Sequence, residues 1–167
     1  MTSASFFSLP HPSLECMHII GRIYVTCLNL YCNAVENHSF KKYFLMLANY
    51  NAWANQKLFS VLKDLNEDEI NQNCGAYFES LFRTANHILV ADILWFERIH
   101  GAVQSQYALD EIVHADLDSL TNARFLKDQS MIAFVQQLND EAFHGTISYT
   151  RHGQRHTEPL IGVLAHV

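Results

Sequence analysis

From Phe40 to Leu65 apolar residues recur every three or four positions: Phe40, Tyr43, Leu47, Tyr50, Ala54, Leu58, Val61 and Leu65 share one helix face. Polar Lys41, Asn49, Asn55, Gln56 and Lys63 fall largely on other faces. With Ser39 ahead of the run as an N-cap, the spacing predicts an amphipathic helix of about seven turns. "LNEDEINQNCG" interrupts it, with Asn66 capping a short turn and Gly75 punctuating the connection. A second helix is predicted from Ala76 to His100 on the stripe Phe78, Leu81, Phe82, Ala85, Leu89, Phe96 and Ile99, with Gly101 ending it. After an irregular stretch to Asp118, "SLTNARFLKDQSMIAFVQQL" makes a third, with Leu120, Ala123, Leu126, Ile132, Phe134, Val135 and Leu138 apolar. In "GTISYTRHGQRHTEPL" the period changes to two. Ile147 and Tyr149 alternate with polar residues and Gly153 sits in a polar tip, which predicts a β-hairpin. Pro159 then stands in the first turn of a last helix, "LIGVLAHV", of scarcely two turns. Each apolar stripe has to be buried against the others. The expected fold is therefore all-α, an up-down four-helix bundle with a small hairpin before a fourth helix too short to close it.

Residues 1–39 read differently, and the expected division is an atypical N-terminal extension, 1–39, followed by the bundle, 40–167. Glu15, Arg22 and Glu36 are the only charges in the extension, and "CMHIIGRIYVTCLNLYC" is rich in cysteine and β-branched residues. A signal peptide would carry positive charge before its apolar core, and "MTSASFFSLPHPSLE" has none. A span needs roughly 20 predominantly apolar residues; the run here is shorter and holds His18 and Arg22. A membrane anchor over residues 16–35 is the weakest reading of this segment.

Length and charge narrow the partners. The 167 residues suffice for one core, and the net charge of -6 with eleven scattered Lys and Arg argues against a nucleic-acid surface. A small molecule, a protein, or a second copy making a homodimer is the expected partner. Cys16, Cys27, Cys32 and Cys74 form no C-x-x-C pair, so neither a zinc ribbon nor a disulfide framework is expected, and the cytoplasm is the default compartment.

Ten histidines are many for this length. His87 lies mid-helix on a face with Ser80, Thr84, Ala91 and Leu94, so its ring is expected to turn inward, where hydrogen bonds or a metal must satisfy both nitrogens. On spacing alone a core histidine is the better reading. His152 and His156 stand four apart, but in a hairpin that spacing separates them by roughly 13 Å, which is poor for a shared metal. His100, His114 and His144 fall at element ends or in loops, and His11, His18 and His38 in the extension. "NEDE" at 66–69 reads as a solvated run, and Asp92 and Glu97 as structural partners of Arg98 or Arg83. Tyr43, Tyr50, Trp53, Trp95 and Phe96 are expected in the core. With no G-x-S-x-G, G-x-G-x-x-G or P-loop in the sequence, nucleophilic and nucleotide chemistry lack support and no catalytic residue is assigned.

"FLMLANYNAWANQKLFSVLKDLNEDEI", "GAYFESLFRTANHILVADILWFERIHG" and the hairpin followed by "PLIGVLAHV" together resemble the DinB family of metal-binding four-helix bundles, over roughly residues 40 to 167. The resemblance implies three histidines on a divalent cation, one from the "NH" of the second helix and two from the last helix in a pattern like H-x-x-N-H-x-x-x-H-R-G-Q. His87 matches the first ligand. His166 matches the leading histidine of the last-helix pattern, so the metal candidates are His87 and His166. On this reading the chain stops before two of the three ligands and is a truncated member, binding zinc, nickel or manganese weakly or not at all. Residues 1–39 then read as a mispredicted start. The implied activity of the longer form is a metal-dependent hydrolase or thiol transferase acting on a small molecule or thiol. The alternative is a non-catalytic bundle remnant that dimerises through its exposed apolar stripe.

Overall fold

The computed structural model describes residues 39–101 and 107–166, all within the unit Ser39–Val167. The extension 1–39, with its three histidines and three cysteines, lies outside the described residues except for Ser39.

Three long helices carry the fold: α1 (Phe40–Lys63), α3 (Leu81–His100) and α4 (Leu117–Gln137), with α2 (Glu67–Asn71) a single short turn between the first two. α1 and α3 both pack on α4. A 3-10 turn, Asp140–His144, leads into β1 (Thr146–Arg151) and β2 (Gln154–Pro159), and α5 (Leu160–Leu164) follows. This is an all-α bundle with a small antiparallel hairpin, and no described helix is long and apolar enough to cross a membrane.

Local chemistry sets the boundaries. The side chains of Ser39, Ser80 and Asp116 each accept from a backbone N–H in the first turn of α1, α3 and α4. Asn66 and Glu69 form a reciprocal capping box around α2. Gly101, at φ 62, closes α3 in the left-handed conformation that a helix C-cap favours. The hairpin turns on His152 and Gly153, at φ 50 and 75, the pair of positive values a two-residue type I′ turn demands.

Three expectations are corrected. The second long helix begins at Leu81 rather than Ala76, because Ala76–Glu79 form a tight turn with Glu79 at φ 66. Pro159 ends β2 and precedes the last helix rather than lying in its first turn. The inward face of α1 is rotated by one residue: Phe44, Ala52, Asn55, Phe59 and Leu62 are buried, whereas Phe40, Tyr43, Tyr50 and Val61 are exposed. Trp53, expected in the core beside Tyr43 and Tyr50, is likewise exposed.

Polar members of the buried stripes explain the rotation. α4 buries Leu120, Arg124, Asp128, Met131 and Val135, a regular stripe with two charges at its middle, and leaves Leu126 in solvent. Asn55 belongs on the inward face of α1 because its amide donates to Asp128 at 3.0 Å. Apolar clusters lie around Phe59, Leu89 and Leu120 and around Phe44, Val135 and Phe143.

Candidate functional site

Arg124 is the hub of the buried polar group. Its guanidinium, 2 % exposed, donates to Asp92 of α3 at 2.6 Å and to Asp128 one turn along α4 at 2.7 Å. With Asn55 added, all three long helices meet in one hydrogen-bonded group. Burial pushes both carboxyls above their ordinary range, and the adjacent Arg124 pulls each back in part. Asp92 therefore pairs with Arg124, not with the expected Arg98 or Arg83; Arg83 lies instead within 3.8–3.9 Å of Glu79 and Asp110. The sequence offered one signal for this group, the i, i+4 pair Arg124 and Asp128 in phase with Leu120 and Val135.

The "NH" dipeptide of α3 does separate work. Asn86, fully buried, accepts from the backbone N–H of His114 at 3.1 Å and donates to its carbonyl at 3.3 Å, pinning the segment that leads into α4. The same segment presents the carbonyl of Leu109 to Nδ1 of His87 at 2.6 Å. A carbonyl oxygen only accepts, so Nδ1 carries a proton, and in the neutral ring that leaves the lone pair on Nε2. Phe78 stacks on the ring, centroids 3.8 Å apart and planes at 23°. His87 is thus half-buried beneath the loops flanking α3 rather than turned into the bundle interior. Beside it Tyr77, Phe78, Glu79, Arg83, Leu109 and Asp110 line a recess of about 360 Å³.

His166 lies elsewhere. It is exposed just past α5, and its ring meets Trp95 edge-on at 5.0 Å. Trp95 stands eight residues along α3 from His87, about 12 Å at 1.5 Å per residue. Nitrogens sharing one zinc-type ion each approach it to roughly 2.0–2.1 Å; the two rings instead sit against different partners, His87 against Leu109 and Phe78 and His166 against Trp95. Of the other pair, His152 sits in the turn while His156 stacks on Tyr149. Among the described residues no three His, Cys, Asp or Glu side chains cluster to hold a metal ion. The side chains present fit one ligand position, with its tautomer fixed by a carbonyl as ligating imidazoles commonly are, and not a closed metal centre.

Residues 37–167 match the family described as the DinB family. The chain belongs to the DinB family. A curated DinB relative, Protein DinB of Bacillus subtilis (strain 168), is 29% identical over 94 residues, which cover 56% of this chain and 48% of the relative. The chain thus spans about half the length of the curated DinB protein it matches. The match holds α3 with His87 and the hairpin, so this DinB chain carries the "NH" dipeptide in the setting just described.

Proposed function

We propose that this protein is a divalent-metal-binding member of the DinB family in which His87 supplies one ligand through Nε2. The observation that carries the reading is the 2.6 Å contact from Nδ1 to the Leu109 carbonyl, which fixes the tautomer and leaves the outer nitrogen free to bind an ion. The metal is zinc, nickel or manganese. In a longer form of the protein two further histidines complete the set, and the activity is a metal-dependent hydrolase or thiol transferase acting in the cytoplasm. When bound, such an ion with open positions lowers the pKa of a water or thiol ligand. With a single oriented imidazole, binding by this chain is weak. Calorimetric titration with zinc, nickel and manganese tests this: weak binding is expected in the wild type and none in His87→Ala. An ion retained at one per chain through purification overturns the weak-binding statement, and equal affinity in the variant overturns the ligand.

A second reading rests on a different observation. Tyr43, Met46, Tyr50 and Trp53 follow the spacing of one helix face and are 53–62 % exposed. On this reading the chain is a non-catalytic module that dimerises through α1. Sedimentation then depends on concentration in the wild type and not in Tyr50→Glu; a monomer across the range rejects it.

A further inference from the structure

A second group of side chains gathers where the hairpin meets α3. Tyr149 of β1, 9 % exposed, meets Trp95 edge-on with centroids 5.8 Å apart. The Arg98 guanidinium lies over both rings, 4.4 Å from the Trp95 centroid and 5.0 Å from that of Tyr149. His156, the cross-strand neighbour of Tyr149, stacks on the phenol at 5.3 Å. Arg151 follows Tyr149 by two residues, hence on the same hairpin face, and its charge bears on Arg98.

Packing alone leaves this charge unexplained. Arg83 and Arg124 each have two carboxylates within 4.0 Å, whereas among the described residues Arg98, Arg151 and Arg155 form no ion pair. Nε of Arg98 is buried with no hydrogen-bond partner, as are those of Arg83 and Arg124, so what sets Arg98 apart among the described residues is that two aromatic rings, and no carboxylate, face its guanidinium. Burial, and then the charge of Arg151, hold the Arg98 guanidinium below its ordinary pKa, against partial support from Tyr149 and Glu97. The chain as a whole carries -6, yet residues 151–156 hold two arginines, two histidines and no acid. Cations concentrated against the sign of the whole chain, one of them held by two aromatic rings, are the composition an oxyanion site requires: the stacked fork has little rotamer freedom left to lose and suits bidentate oxyanions.

We propose that Arg98 and Arg151 form a binding site for a small multivalent oxyanion, a phosphate ester or polycarboxylate, with Trp95 and Tyr149 holding the Arg98 fork in place. The site does not involve His87 and stands whether or not the metal reading holds.

Trp95 is a built-in reporter, since Trp53 is the chain's other tryptophan and Trp53→Phe silences it. Inorganic pyrophosphate and citrate are titrated at constant ionic strength into that variant, with sodium chloride as control, and calorimetry on the wild type repeats the measurement independently of the substitution. A saturable change in fluorescence is expected with at least one anion, weakened tenfold or more by Arg151→Ala with an unchanged melting curve, and similarly by Arg98→Lys, which keeps the charge but loses the planar fork. His87→Ala binds as the parent does. Tighter binding of pyrophosphate assigns the site to phosphate esters, and of citrate to carboxylates. No saturable change with either anion, reproduction by sodium chloride, or an unaltered titration in Arg151→Ala overturns the proposal.

Discussion

Replacing Arg124 by methionine removes the one cation of a buried group and leaves Asp92 and Asp128 facing each other's charge across α3 and α4. At an effective dielectric constant near 20, each contact has a gross Coulomb energy of about 4 kcal/mol at 4 Å. The carboxyls limit the loss by taking up a proton. Protonating one at pH 7 from an ordinary pKa of about 3.9 costs about 4 kcal/mol at 1.36 kcal/mol per unit, and only about 1.5 kcal/mol at pH 5. The expected destabilisation is therefore about 3–5 kcal/mol at pH 7, in line with other broken buried pairs, and about half that at pH 5. Urea unfolding followed by circular dichroism measures it at both pH values, with an unchanged slope on denaturant as the check that the same surface is exposed. The triple variant Arg124→Met, Asp92→Leu, Asp128→Leu removes all three charges and regains most or all of the loss, because apolar replacements of buried ion groups are often neutral or stabilising. A loss under about 1 kcal/mol, or one that does not change with pH, refutes the assignment of Arg124 as the hub.

Further outcomes follow from individual side chains. Asp92 and Asp128 have raised carboxyl pKa values in the folded state, so their contribution is fully present below the ordinary carboxyl range and is lost as pH rises through the folded values. The urea midpoint therefore falls over that window in the wild type and stays flatter in Asp92→Asn, Asp128→Asn; parallel profiles contradict this. Asn66→Ala removes the capping box of α2 and lowers stability by about 1 kcal/mol in the same assay, against no change if the cap is idle. Glu79→Gly relieves a left-handed residue at φ 66 and raises the unfolding free energy by up to about 1 kcal/mol; a drop would show that the Glu79 to Arg83 contact outweighs the strain.

What the sequence revealed was largely local. Ser39, Asn66, Gly101 and the His152–Gly153 turn act on their own neighbours, and each stands where propensity alone places it. The inward faces were harder to read. A search for large apolar residues selects Tyr43, Tyr50 and Val61, but α1 turns toward α4 at the phase that lets Asn55 reach Asp128, and only the partner helix reveals that. On α4 the stripe hides its own centre, because Arg124 and Asp128 look like surface residues until Asp92 is set beside them. His87 was identified through the family pattern, while its setting depends on the Leu109 carbonyl, 22 residues away in an irregular segment that Asn86 anchors.

The most direct test is nitrogen NMR on protein labelled with ¹⁵N-histidine, assigned with His87→Ala and titrated with zinc. His87 is expected in the Nδ1–H tautomer before metal is added, with its Nε2 the first imidazole nitrogen to shift as zinc is raised. An Nε2–H tautomer, or zinc that moves other histidines while His87 stays unchanged, contradicts this.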